Sequence, residues 1–334
     1  DVYKRQFTKH IVKGPGASSF LDWFTCNKLP KVGRINLTYA LTDAGTTRTE
    51  YTIVRLKQDE FYLVSAGAWT AYDADFVIKS AEDKSPEFGY IEIQDVTSQW
   101  GVFAVAGPKS RKFLSQLIRD EDQDTALSNA RFPWLSFKRV ELAMCPVNAI
   151  RVSYTGELGW ELHHPIEMQN YLFDLLQSAG AKYELKWVGA RAQNWLRQEK
   201  SYRAFGTELG RDATPLEADL PRFVDMSKDF NGKMQMEKIG IRSKCVTFLI
   251  DGPVDADPWG REALYTEDGT ERVGRLTSGG YSVVFEKSIG MGYVKPSYAI
   301  EGTKLKVKIQ NALWDAVVTS DSPYDPKNEK LRDG

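Results

Sequence analysis

Three cysteines and three histidines in 334 residues leave little with which to build a metal centre or a disulfide framework. Cys26, Cys145 and Cys245 are far apart and odd in number, which argues against paired bridges and against a zinc ribbon, so they are expected as buried thiols. Of the histidines, His163 and His164 are adjacent and would point to opposite faces of a strand, and His10 is remote, so no metal site is expected. No apolar run approaches the roughly 20 residues that span a bilayer, and no signal-like segment opens the chain, so a cytoplasmic protein with no membrane partner is expected. Charge of either sign is not in excess. With 44 basic and 45 acidic residues the formal charge is -1, which gives no whole-chain electrostatic case for nucleic acid. Neither a Gly-x-Gly-x-x-Gly nor a Gly-x-x-x-x-Gly-Lys-Ser/Thr loop is present, so no dinucleotide or ATP cradle is evident. A Gly-x-Ser-x-Gly elbow is also missing, and the cysteines have no histidine partner in sequence context, which disfavours covalent nucleophilic catalysis. What remains is carboxylates and aromatics near glycine turns, groups suited to holding a flat, nitrogen-rich ring.

A hydrophobic content of 42% is enough for a sizeable core, and the length suggests about two domains. Residues 37–41, 50–56 and 61–65 read as an antiparallel meander with turns at Asp43-Ala44-Gly45 and at 57–60. Phe113, Leu114, Leu117 and Ile118 follow the helix period after Gly107-Pro108. Met168, Tyr171, Leu172, Leu175 and Leu176 do so again, with Gly180 placed to end that helix, and residues 188–202 read as a further helix carrying Trp195, Arg197 and Glu199. Strands and helices thus mix over residues 1–238 in an α+β order, antiparallel sheets backed by helices. From 239 to 334 the pattern changes to short strands at 246–250, 273–277, 289–294, 305–309 and 316–319, expected as an all-β domain. Asp1 to Gln6 fit no periodic element and no Met opens the chain, so the expectation is an N-terminus that begins mid-protein.

The densest polar motif is Tyr154-Thr155-Gly156-Glu157-Leu158-Gly159-Trp160-Glu161, an aromatic hydroxyl and two carboxylates around two glycines. It is expected as a strand that bends at Gly156 and Gly159 and continues through Trp160, Glu161 and Leu162. Glycine supplies the backbone freedom and close approach. By composition alone it is an ordinary strand-turn-strand with surface acids.

Four further segments stand in fixed order with it: Ala104 to Ser110, Leu196 to Gly206, Thr214 to Leu220, and Arg272 to Gly280 followed by Lys287 to Val294. Together they resemble the aminomethyltransferase (glycine cleavage T-protein) family, above all the tetrahydrofolate-binding C-terminal half of dimethylglycine and sarcosine dehydrogenases, over about residues 7–332. The resemblance implies a three-lobed folate-binding fold, two α+β lobes and a C-terminal β-barrel around a central opening. It also implies tetrahydrofolate as cofactor and a methylamine-type substrate. FAD belongs, in those dehydrogenases, to a preceding domain that this sequence does not contain, so a flavin domain in cis or on a partner subunit is expected to act upstream.

The resemblance implies roles for single residues. Glu161 is the expected pterin ligand, because a carboxylate can accept a ring N-H and an exocyclic N-H together. Tyr154 matches the tyrosine of the same motif, while Glu157, of opposite parity, is read first as a turn or cap residue and second as a cofactor contact. Glu50 stands where relatives place an acid, usually Asp, after a glycine-rich turn, and is the catalytic candidate; Gly45-Thr46 replaces the common Gly-Gly there. Tyr39 shares a strand face with Leu37 and is either a displaced folate contact or core. Arg197 and Glu199 are read as an internal ion pair, with direct cofactor binding by Arg197 as the alternative. Glu217 is a cap or a pocket residue, Asp219 replaces a frequent Gly, and Asn231 an aliphatic residue. The leading expectation is a one-carbon transfer module yielding 5,10-methylenetetrahydrofolate. A flavin-free demethylase or aminomethyltransferase is the second, and a folate-binding accessory of iron-sulfur maturation, a non-enzyme, the third.

Overall fold

Period-2 alternation dominates both α+β lobes, and each sheet turns one apolar face to helices and the other toward the neighbouring sheet. The computed structural model describes residues 7–119, 123–253 and 255–333; Asp1 to Gln6 lie outside the described residues. The first lobe comprises β1 (Phe7–Lys13), α1 (Ala17–Phe24), β2 (Ile35–Leu41), β3 (Thr47–Lys57), β4 (Glu60–Ala66), α2 (Thr70–Phe88) and β5 (Glu92–Asp95), with sheet order β2-β3-β4-β1-β5. The second comprises β6 (Trp100–Ala106), α3 (Ser110–Ser115), β7 (Phe137–Leu142), β8 (Cys145–Ile150), β9 (Gly159–Pro165) and α4 (Gln169–Gly180), with order β6-β9-β8-β7. Helices α5 (Ala190–Glu199) and α6 (Lys233–Ile239) lead to a closed barrel of β10 (Lys244–Asp251), β11 (Ala263–Thr266), β12 (Arg272–Ser282), β13 (Lys287–Val294), β14 (Lys304–Ile309) and β15 (Ala312–Thr319), followed by α7 (Glu329–Asp333). The expected α+β architecture and the terminal β-barrel are both present. No described helix is long and apolar enough to cross a membrane.

Side-chain alternation sorts the core into separate clusters. On β3 and β4, Tyr51, Ile53, Phe61 and Leu63 pack on α1 and α2, whereas Val54, Tyr62 and Val64 turn inward to meet Ile150 of the second sheet. On β9, Trp160 and Leu162 join the helix-backed core of the second lobe. Each such side chain, removed from water, contributes about 1.5–3 kcal/mol. Glu161 and His163 therefore emerge on the inner face, and His164 on the outer one, where its ring stacks on Phe103. The adjacent histidines do point to opposite faces.

Two elements differ from the sequence expectation. The motif around Gly156 is not one bent strand: β8 and β9 pair antiparallel, Ile150 opposite Glu161, and residues 151–158 form the loop between them. Gly156 does turn there, at φ +82°. The helix expected over 188–202 is confined to Ala190–Glu199, since Ser201 takes a left-handed backbone (φ 53°) that no helix continues through.

The β2–β3 connection carries a severe steric constraint. Gly45 has φ +82°, and a Cβ built on it would stand 2.2 Å from the Met236 backbone nitrogen, so the turn lies directly on α6. We expect Gly45→Ala to lower unfolding free energy by about 3 kcal/mol or more, through left-handed strain plus this clash, when measured by urea denaturation. Gly33→Ala, with φ +77° and nothing within 4 Å, should cost only about 1 kcal/mol from the strain itself.

Candidate functional site

Tyr39 and Glu50 are directly opposite each other in the β2–β3 ladder, so their side chains share the inner face. The Tyr39 hydroxyl donates to the Glu50 carboxylate, and the ring packs edge-on against Phe223. Burial pushes Glu50 up to about 7, and the Tyr39 hydrogen bond pulls it back only in part. Because that value lies above the ordinary 4.5, Glu50 favours the folded state most at low pH, and this contribution is lost as pH rises through about 7. Burial, and then the charge of Glu50, push the Tyr39 hydroxyl in the same upward direction, so it stays a donor. A buried carboxyl that titrates near neutrality can hold or take up a proton under working conditions.

Tyr154 is 36% exposed, yet its hydroxyl is enclosed and donates to the Arg203 carbonyl (3.3 Å), while its ring stacks on Tyr202 at 6.0 Å. Burial pushes the pKa of this hydroxyl up; after burial, Arg197 lowers it while the charges of Glu50 and Glu208 raise it. The fold therefore brings Tyr39, Glu50, Tyr154 and Arg197, from four separate stretches of sequence, into one electrostatic neighbourhood. Glu161 is held differently. Its Oε2 pairs with His163 Nε2 at 3.2 Å, and His163 Nδ1 meets the Tyr62 hydroxyl at 3.0 Å, a chain of contacts that runs from the second sheet to the first. Glu161 Oε1 has no hydrogen-bond partner among the described residues. Glu157, in contrast, accepts from the Tyr324 hydroxyl and ties the loop to the C-terminal segment.

Arg197 does form a buried ion pair, but with Glu208 (2.8 Å) and not with Glu199. Residues two apart on a helix diverge by most of a half-turn, so Glu199 faces elsewhere and accepts from Ser282 of the barrel. Every N-H of the Arg197 guanidinium finds an acceptor within the protein: Asn194 Oδ1 twice, Tyr202 O, Glu208 Oε2 and Ser278 Oγ. Glu208 is equally saturated, with Thr277, Ser278, Thr207 and the Ala204 N-H as donors. Burial opposes its charge, but Arg197 and these donors hold it below the ordinary carboxylate value. Glu208 was missed by sequence reading, although a carboxylate two residues after Gly206 (φ +95°) was a signal. His163 was missed as well, although Glu161 and His163 at i, i+2 on a strand had to share a face.

The remaining candidates are structural. Glu217 Oε2 accepts the Thr214 N-H while Thr214 Oγ1 accepts the Glu217 N-H, a reciprocal cap, and both Glu217 oxygens engage Arg242. Asp219 has φ +60°, the conformation for which glycine is suited, and its carboxylate contacts Lys244 at 3.1 Å. Asn231 donates to the Leu41 carbonyl (3.0 Å) beside the Gly45 turn. All three cysteines are free and buried, and no group of His, Cys, Asp and Glu among the described residues is arranged to hold a metal.

A space of about 560 Å³ is lined by Arg48, Trp69, Tyr72, Phe205, Arg211 and Arg275, among others.

Comparison with known proteins matches the same regions. A family model described as "GCVT N-terminal domain" covers residues 4–228, and one described as "Glycine cleavage T-protein C-terminal barrel domain" covers residues 244–325. The chain is 35% identical to human "Dimethylglycine dehydrogenase, mitochondrial" over 93% of its own length and 35% of that protein, so it spans about a third of the dimethylglycine dehydrogenases it matches. It is 30% identical to an "Aminomethyltransferase" of Caldanaerobacter subterraneus subsp. tengcongensis, over 96% of this chain and 83% of that one. The crystal structure of the glycine cleavage system aminomethyltransferase T from Bartonella henselae superposes with a TM-score of 0.82 at 22% identity, covering 96% of this chain and 85% of that one, which shows the shared fold.

Arg197→Met would leave Glu208 buried without its counter-ion. The expected loss is about 3–5 kcal/mol in equilibrium unfolding, with Glu199→Gln costing less because its partner Ser282 is neutral.

Proposed function

The chain belongs to the aminomethyltransferase (glycine cleavage T-protein) family, and from that premise we propose that it is a tetrahydrofolate-dependent one-carbon transferase acting as the folate module of a dimethylglycine or sarcosine dehydrogenase-like enzyme. The observation that carries this reading is the Tyr39–Glu50 pair, a buried carboxyl raised to about 7 beside the Tyr154 hydroxyl and the Arg197–Glu208 pair. The 35% identity to dimethylglycine dehydrogenase supports the choice of donor class.

The residues present fit a pterin. Glu161 offers an unpaired Oε1 and an Oε2 with a lone pair to spare, and its partner His163 fixes its orientation. Tetrahydrofolate, when bound, supplies the ring nitrogens that accept the one-carbon unit. Glu50 takes up a proton at a carboxylate oxygen, and in its ionised form it stabilises cationic character on an adjacent methylene-iminium carbon. Tyr39 holds that carboxylate in one orientation by donating to it, so the charge is already placed when the donor arrives. Tyr154 supplies a flat face stacked on Tyr202 and a hydroxyl fixed by the Arg203 carbonyl. In this reading the N-methyl donor is oxidised by a flavin protein before its carbon reaches Glu50, yielding 5,10-methylenetetrahydrofolate.

A second reading has its own observation. The 30% identity to the Caldanaerobacter aminomethyltransferase, over 83% of that protein, supports a transferase that takes an aminomethyl carbon directly. Turnover of an aminomethyl donor with tetrahydrofolate and no flavin protein would favour it over the dehydrogenase-like reading.

The test is calorimetry with tetrahydrofolate, joined to a turnover assay. Glu161→Gln should weaken binding by about 10-fold or more, the loss of a charge-assisted pair. Glu50→Gln should leave binding within a few-fold and depress kcat. A correctly folded wild-type chain with no folate affinity would sink the proposal.

The pH profile gives an independent check. As a base Glu50 is active above its own value and is lost as pH falls, so kcat should rise with an apparent pKa near 7. Tyr39→Phe removes the bond that lowers this value, and the acid limb should move to higher pH. A profile unchanged in Glu50→Gln would assign the limb to another group.

A further inference from the structure

Arg48 breaks the ladder between β2 and β3. Glu50 pairs with Tyr39 and Thr49 with Ala40, but Leu41 pairs with Thr47, so Arg48 is the extra residue of a bulge. Instead of alternating with Glu50 it lies against α2, stacks on the Tyr72 ring and donates through Nη2 to the Tyr72 carbonyl at 3.0 Å. It is 8% exposed, and its Nη1 is buried with no hydrogen-bond acceptor. A buried guanidinium with an unused N-H group is costly unless something completes it.

The cavity that Arg48 lines supplies a reason. Arg48, Arg211, Arg261 and Arg275 face it together with one carboxylate, Asp212, which is already engaged by Arg275 at 3.0 Å. Among the described residues no carboxylate lies within ion-pair distance of Arg48, Arg211 or Arg261. Asp73, the nearest acid acting on Arg48, has its two oxygens taken by Thr49 and Ser65. Arg211 stacks on the same Tyr72 ring as Arg48. Burial, and then the like charge of Arg211, depress Arg48 to about 10, the signature of a cation short of a counter-ion. Four arginines lining about 560 Å³, two of them with guanidinium groups on the one Tyr72 ring, match a small carboxylate that also carries a flat or methylated body.

We propose that this cavity is a carboxylate-binding subsite in which Arg48 and Arg211 hold the acid group of a small ligand next to the transfer centre. Two sources share that chemistry, the aroylglutamate end of a folate and the acid group of an N-methylated amino-acid donor. The choice of probes rests on the one-carbon transfer reading. The pocket itself is read from its own residues.

The experiment uses the full chain, its Arg48→Met and Arg211→Met variants, and calorimetry with p-aminobenzoylglutamate, dimethylglycine and a tetrahydropterin lacking any carboxylate. Arg211 is exposed, so its variant should keep the wild-type thermal midpoint even if Arg48→Met does not. Loss of about 10-fold in affinity for p-aminobenzoylglutamate, with tetrahydropterin unchanged, would support the proposal and name the folate tail as the source. The same loss confined to dimethylglycine would support it and name the donor. Affinities within two-fold of wild type for both acids in folded Arg211→Met, no binding of either acid to wild type, or an equal loss for tetrahydropterin would overturn it. Failure of the pterin assignment appears separately, as tetrahydropterin affinity unaffected by Glu161→Gln while both acids still respond to the arginines.

Discussion

The Arg197–Glu208 pair is the interaction on which the centre of this molecule depends. A guanidinium and a carboxylate removed from water are tolerated together only if every remaining donor and acceptor is satisfied, and here they are. Satisfying them requires Asn194 from α5, the Tyr202 carbonyl, and Ser278 from β12, so the helix, the segment after it and the barrel are fixed relative to one another. Gln198 and Glu199 extend the seam to Gly279 and Ser282. Gly280 makes the close approach possible: a Cβ there would meet the Trp195 ring at 2.1 Å. The stacking of Tyr202 on Tyr154 and the anchoring of Lys200 by the Tyr324 and Asp325 carbonyls follow from where this seam puts residues 200–203.

Two carboxylates sit in this region and behave in opposite ways. Glu208, surrounded by a guanidinium, three hydroxyls and an N-H, is driven toward permanent charge. Glu50, buried with one phenolic donor, is driven toward neutrality. The difference lies in the count of donors, since Glu208, the less exposed of the two, is the one that stays charged. A carboxylate saturated by its own protein has no capacity left for a ligand, whereas one left nearly alone retains both a proton to exchange and lone pairs to offer. The same contrast separates Glu217 and Arg197, whose hydrogen-bonding groups are occupied, from Glu161 and Arg48, which keep an unused one.

Much of the architecture was legible in the chain. The β2–β3–β4 meander, helix α4 and five of the barrel strands follow from plain periodicity, because their buried positions are almost all apolar. Strand β1 escaped because it buries Thr8, Lys9 and His10; Lys9 is accommodated by donating to the Thr97 and Trp100 carbonyls, which no local pattern announces. Helix α2 escaped because few of its residues are buried, one of them Asp73, so its apolar stripe is faint. The Arg197 partner was misassigned because nearness in sequence suggested Glu199, while the fold delivers Glu208 from beyond a turn. The placing of Glu50 and Glu161 on inner sheet faces required the pairing register, which strand alternation alone does not supply. Arg48 was invisible for the same reason, since a bulge leaves no mark in composition.

That bulge has a consequence for strand phase. In an uninterrupted ladder, adding or deleting one residue in the β2–β3 connection would invert every side chain beyond it and turn Glu50 from the interior to the helix side. With a spare residue at Arg48, the loop that must fit against α6 and the strand that must present Glu50 keep separate phase. The turn and the strand are thus placed by separate constraints, the turn by its contact with α6 and Glu50 by its pairing opposite Tyr39.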